Sequence, residues 1–138
     1  MRATTLLRRW IGVTALFVRD VWWSGDGEVS VEVRPRWRRP RCGRCGKRAP
    51  GFDRRPARRW RHLPWGRTAV WLVYAPRRVS CRRCGVRTEQ VPWAEAGGRA
   101  TSALEELVAY LAQGSDFTRV SRLMGISWST VRSIVERV

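Results

Sequence analysis

All four cysteines of this 138-residue chain lie in two matched knuckles, Cys42-Gly43-Arg44-Cys45-Gly46 and Cys81-Arg82-Arg83-Cys84-Gly85, with 35 residues between Cys45 and Cys81. No other feature restricts the fold as strongly. Two residues between cysteines let one tight turn offer both thiolates, and a tetrahedral zinc takes four such ligands at about 2.3 Å. The glycine after each second cysteine supplies the positive φ that such a turn often needs. The intervening segment carries strand patterns, so a zinc ribbon is the natural architecture, with Cys42, Cys45, Cys81 and Cys84 holding one structural Zn2+. Disulfides are the alternative in an oxidising compartment, and a redox Cys-x-x-Cys usually stands alone at a helix start. His62 is the only histidine. It lies between the knuckles beside an apolar turn, and four thiolates already complete the shell, so it is not read as a ligand. Such a shell leaves no position for water, and it stabilises without performing chemistry.

Charge narrows the partner. Twenty-eight basic residues face eleven acidic ones, a net +17. That balance suits a polyanion, because each neutralised phosphate releases condensed counterions. The near absence of lysine (only Lys47) also fits a genomic bias toward arginine codons, so charge alone does not name the ligand. The apolar stretch Trp10–Val18 follows Arg2, Arg8 and Arg9, but it is too short to cross a bilayer and has no small-residue cleavage site. The expectation is a cytoplasmic protein with reduced cysteines and no membrane partner.

Three regions and a linker follow from the patterning, in an α+β chain. Residues 1–34 read as a short helix at Thr4–Trp10 and a β-hairpin. In the hairpin, Val13–Trp23 is β-rich, Ser24-Gly25-Asp26-Gly27 turns, and Glu28–Val33 alternates with period two. Residues 35–93 form the ribbon, with Thr68–Tyr74 as an apolar strand and Leu63-Pro64-Trp65-Gly66 folding Arg58–His62 back against it. Residues 94–100, with Gly97-Gly98, read as a linker. Residues 101–138 switch to helical period. Ser102 and Glu105 have the spacing of a capping box, Leu104, Leu107, Val108 and Leu111 make an amphipathic stripe, and Gly114 ends the helix.

Phe117–Val138 has the spacing of a helix-turn-helix: small Ser121, then Gly125 four residues on, with Val120, Met124, Ile126, Val131 and Ile134 apolar. An ordinary αα-hairpin is the plainer alternative. Ser127 is the expected N-cap of the second helix, whose buried stripe is Val131, Ile134, Val135 and Val138. The opposite face offers Ser127, Trp128, Ser129, Arg132 and Ser133 to the major groove of double-stranded DNA. Residues 101–138 carry four Arg and four acids, whereas residues 34–61 carry thirteen basic groups and one acid, Asp53. Electrostatic grip is therefore expected from Arg36, Arg38, Arg39, Arg41, Arg54, Arg55 and Arg58 on phosphates, and base readout from the helix. Trp10, Trp22, Trp60, Trp71 and Trp93 are expected in small cores, with Trp37 as a candidate for stacking on a base or sugar.

In order, a hairpin, Arg-Pro-Arg-Cys-x-x-Cys-Gly, Arg-His-Leu-Pro, Arg-Arg-Val-x-Cys-x-x-Cys, Val-Pro-Trp-Ala and a helix-turn-helix ending Ile-Val-Glu-Arg-Val resemble bacterial insertion-sequence transposases of the ISL-three type. The resemblance covers nearly all of the chain and is most specific in Trp60–Val91 and Ser121–Val138. It implies recognition of transposon terminal inverted repeats by the ribbon and helix-turn-helix, with a homodimer left open. In such proteins an RNase H-like domain with three carboxylates and divalent metal cuts and joins DNA. The eleven acids here are scattered, with no βαβ framework to converge them, so the chain is expected to bind and not to catalyse. A small transcriptional regulator, an RNA-binding zinc ribbon and a protein-binding αα-hairpin are the competing readings.

Overall fold

The computed structural model describes residues 2–138. The chain runs α1 (Ala3–Ile11), β1 (Leu16–Trp23), β2 (Val29–Pro35), β3 (Gly51–Arg54), β4 (Arg58–Trp65), β5 (Thr68–Tyr74), β6 (Arg77–Cys81), β7 (Gly85–Thr88), α2 (Ser102–Gly114), α3 (Phe117–Met124) and α4 (Trp128–Arg137). The α+β class and the order of ribbon before helices are as the sequence indicates.

The strands sort into two sheets in a way that periodicity does not reveal. One has the order β1-β2-β5-β4 and the other β3-β6-β7. The expected hairpin forms, with Val21 opposite Val31, but β2 also pairs in parallel with β5. Strands from either side of residue 34 therefore share one sheet. Alternation explains why. Val29, Val31 and Val33 of β2, Val70 and Leu72 of β5, and Trp60 of β4 all turn one face inward onto Leu16, Ile11 and Trp93. Burying that common apolar face removes it from water, which neither hairpin alone does.

Several local expectations shift. β4 continues through Pro64, with a register irregularity between His62 and Trp65, so the turn to β5 falls at Gly66-Arg67 rather than at Leu63–Gly66. The stretch 94–100 is docked on the sheet. Arg61 N–H donates to Arg99 O (3.1 Å), Thr101 N–H to Arg61 O (2.8 Å), and Arg58 Nη2 to Gly98 O (2.7 Å). Beside it Trp93 is buried edge-on to Trp60 and Tyr74. The N-cap of α2 is Thr101, whose hydroxyl accepts from Leu104 N–H at 3.3 Å, and not Ser102. Glu105 cannot close a capping box because it is buried and paired with Arg137.

Of the five tryptophans expected in cores, Trp60 and Trp93 are buried. Trp71 is half-buried, and Trp10 and Trp22 are exposed, Trp10 stacking on Trp65 at 4.8 Å between centroids. α2, α3 and α4 enclose a second core of Leu104, Val108, Val120, Met124, Val131 and Ile134. Val135 packs against its edge, but Val138 is exposed, because α4 ends at Arg137 and the last residue clears the bundle.

Candidate metal centre and nucleic-acid interface

The knuckles face each other across the small sheet. Cys42 and Cys45 sit on the turn before β3, while β6 delivers Cys81 and the turn into β7 delivers Cys84. Gly46 and Gly85, directly after each second cysteine, have φ of 75° and 78°, the left-handed conformation that glycine adopts without steric cost. All four Sγ atoms lie within 4.8 Å of one another, and Cys45 Sγ is 3.7 Å from Cys81 Sγ. A tetrahedron of zinc–sulfur bonds has sulfur–sulfur edges of roughly 3.8 Å, so the donor set and its size both fit one zinc ion. The four cysteines can therefore bind one zinc, and the closed sulfur shell gives it a structural role. His62 lies outside this group, buried in the larger sheet and hydrogen-bonded to Thr101.

Electrostatics agree with a cation site. Backbone N–H groups of Cys84 and Arg83 pull the Cys81 thiol down to about 7. At Cys42 burial opposes ionisation, but N–H groups of Cys45 and Arg44 and the neighbouring thiols outweigh it, and the net shift is downward. Burial and the three adjacent sulfurs push Cys84 up to about 12. Four clustered thiolates repel one another, so full deprotonation needs a bound cation. The cysteine cluster has its own small core with Ala49 and Val79.

A buried carboxylate ties this sheet to the larger one. Glu89 accepts from Tyr74 Oη (2.7 Å), from Arg77 N–H (2.6 Å), and from Arg77 Nε and Nη2 (3.0 and 2.9 Å). The Arg77 guanidinium also donates to Arg38 O at 2.8 Å, which positions the chain entering the first knuckle.

The helix-turn-helix is built as its spacing indicates. Asp116 caps α3, Gly125 ends it at φ 65°, and Ser127 caps α4 by accepting from Thr130 N–H at 3.1 Å. Ser121 lies where helices approach, its hydroxyl donating to Ile126 O at 2.5 Å. Val131 and Ile134 are buried, which leaves Trp128, Ser129, Arg132 and Ser133 exposed. Trp128 leans on Phe117 (5.6 Å between centroids), and Arg132 pairs along the helix with Glu136 at 2.7 Å.

The seven arginines singled out for phosphate do not form one patch. Arg38 and Arg54 line a cleft with Arg19, Arg34 and Arg77. Arg36 lies over Phe17, and Arg39 and Arg55 are exposed. Arg41 covers Trp37 at 4.3 Å, so that indole face is occupied by a guanidinium. Arg58 belongs to a different cleft, beside the helix-turn-helix, together with Arg59, Arg61 and Arg99. Sequence reasoning missed those last three. The alternation of Arg59 and Arg61 about buried Trp60 is the signal, since period two puts both on the outer face of β4.

Two family models match the chain. Residues 38–84 match the zinc-finger of transposase IS204/IS1001/IS1096/IS1165, and residues 89–138 match the helix-turn-helix domain of transposase family ISL3. Curated relatives are the transposases for insertion sequence element IS1557 of two Mycobacterium tuberculosis strains, CDC 1551 / Oshkosh and ATCC 25618 / H37Rv. Each is 40% identical over 146 aligned residues, covering 100% of this chain. The chain spans about a third of the length of these relatives, 33%. No solved structure matches. The matched ribbon holds the first knuckle and ends on Cys84, the matched helices are α2 to α4, and the chain thus carries the zinc-ribbon and helix-turn-helix domains that these ISL3 transposase models describe.

Proposed function

We propose that the chain binds double-stranded DNA sequence-specifically, as the part of a transposase that recognises terminal inverted repeats. One observation carries the reading: α4 buries Val131 and Ile134 and turns Trp128, Ser129, Arg132 and Ser133 outward. A helix so presented, N-terminus first, fits the major groove, where Arg132 can pair with guanine O6 and N7. Ser127 is occupied as the cap and lies at the groove edge. Arg36, Arg38, Arg39, Arg41, Arg54 and Arg55 supply phosphate contacts from the ribbon side, and Arg58 does so from the cleft beside the helix-turn-helix.

DNA cutting and joining are not assigned to these residues. Glu89 is held by Arg77 and Tyr74, Glu105 by Arg137, and Asp53 by Arg78, so these carboxylates are engaged in structural pairs. None of the 2–138 helices is long and apolar enough to cross a membrane. The setting proposed is the bacterial nucleoid, and inverted repeats at both transposon ends suit a homodimer. Selection of duplexes from a random pool, followed by footprinting on a repeat-bearing transposon end and on a promoter, tests the assignment. Protection of the terminal repeats supports it. Protection of the promoter alone replaces it with a regulator, and preference for structured RNA over duplex replaces it with an RNA-binding ribbon.

A further inference from the structure

Between the outer face of the large sheet and the turn of the helix-turn-helix lies a cleft of about 560 Å³. Arg58, Arg59, Arg61 and Arg99 line one side with Trp71, and Ser127 and Thr130 of the α4 terminus line the other. The four guanidiniums are not equivalent. Arg61 is a strut: its Nη2 donates to Gly125 O at 3.0 Å and fixes the turn against the sheet. Arg58 is held by Gly98 O at 2.7 Å and lies over Trp60 at 4.4 Å.

The other two have donors to spare. Arg59 stacks on Trp71 at 3.9 Å, which orients its plane. Its ion-pair partner, Glu28, is 3.6 Å away and already accepts from Trp71 Nε1 at 2.6 Å, while Asp26 feels its charge without a direct contact. The Arg99 side chain has no hydrogen bond or ion pair among the described residues, although its backbone is anchored to β4.

A plain solvated basic face is the alternative, and three features speak against it. The charges converge from β4 and from the 94–100 segment rather than spreading along one element. Burial and neighbouring arginines depress the ionisation of Arg58, and burial does so at Arg61, where Glu28 opposes and Arg59 adds to the shift. Like charges held together in this way favour an anion. The first turn of α4 contains no acidic residue, so its unpaired N–H groups add positive potential at the same place.

The geometry points to this cleft as the seat of one DNA backbone phosphate, held by Arg59 and Arg99 with the first turn of α4, beside the bases α4 reads. This rests on the DNA-binding function proposed above and extends it to a positioning contact supplied by the sheet. The phosphate fixes the register of α4 in the groove, while Arg61 and Arg58 keep the cleft walls in place.

The test uses Arg59→Gln, Arg99→Gln and their combination, with zinc content and circular dichroism confirming that each remains folded. Binding is measured on a pool-selected duplex and on a scrambled duplex across a salt series. Each single variant loses on the order of tenfold on both duplexes, because a charge-assisted hydrogen bond is lost. The double variant lowers the log K–log salt slope by about 0.9, the equivalent of one phosphate. A methylphosphonate scan of the selected duplex then finds one sensitive phosphate for wild type, and the double variant is insensitive there. Wild-type slope and affinity in the double variant overturn the assignment, as does the absence of any sensitive phosphate with wild type. If wild type binds the selected duplex and Arg132→Ala alone removes discrimination, an unchanged Arg59/Arg99 variant refutes only the cleft. If wild type binds neither duplex, the DNA reading falls and the cleft with it.

Discussion

Acidification should destabilise this fold through His62, by an amount the structure sets. His62 is 1% exposed on β4, and its Nδ1 is 2.9 Å from Thr101 Oγ1. The same hydroxyl oxygen accepts from Leu104 N–H, and the ring's own N–H is turned to the Ile11 carbonyl, so the neutral ring accepts the Thr101 hydroxyl proton at Nδ1. The ring is thus neutral, with its proton on Nε2. Burial pushes its pKa down to about 4 from an ordinary 6.5, against a smaller opposing pull from the Ile11 carbonyl. The unfolded chain therefore takes up the proton first. Stability is complete above pH 6.5, declines as pH falls from there toward 4, and levels below. At roughly 1.36 kcal/mol per unit, the loss at pH 4 is about 3 kcal/mol. Urea unfolding of wild type and His62→Gln from pH 7.5 to 4 isolates it, because protonation of the zinc thiols acts alike on both and cancels in the difference. The variant should be weaker at neutral pH, and the gap should close by about 3 kcal/mol at pH 4. A gap that stays constant across that range would refute a buried neutral histidine.

Purified, reduced protein should contain one zinc per chain, and Cys81→Ala or chelation should unfold β3, β6 and β7 while residues 101–138 stay helical. Zinc binding at such sites contributes roughly 10–16 kcal/mol, so metal analysis near zero or an unchanged unfolding midpoint in Cys81→Ala would contradict the metal assignment. Glu89→Ala should cost about 3–5 kcal/mol in urea unfolding, because it strands Arg77 between the two sheets. A loss below about 1 kcal/mol, the worth of one ordinary hydrogen bond, would show that the pair is not what joins them.

The parts legible in the sequence are those governed by short-range rules. Cysteine spacing with its glycines and the Ser121–Gly125–Ser127 pattern need only a turn or a cap, and each forms as its residues indicate. What could not be read depends on pairings distant in sequence. Nothing in Val29–Glu32 says that its second neighbour is Val70–Val73, so the merger of the hairpin with β4 and β5 was invisible. The Arg59–Arg99 cleft follows from that merger, since it exists only once β4, β5 and the 94–100 segment are assembled. The displaced cap also has a cause distant in sequence. Thr101 and Ser102 both suit an N-cap, and the buried pairing of Glu105 with Arg137 decided between them.

The central claim is that α4 reads bases while arginines outside it hold phosphates, and Arg132→Ala tests it most directly. Its affinity is compared with wild type on the pool-selected duplex and on a scrambled duplex across one salt series. A bidentate contact to a base predicts a loss of about 1–3 kcal/mol on the selected duplex, little loss on the scrambled one, and an unchanged salt slope. Equal weakening on both duplexes would contradict the account and move specificity from α4 to the ribbon or the sheet.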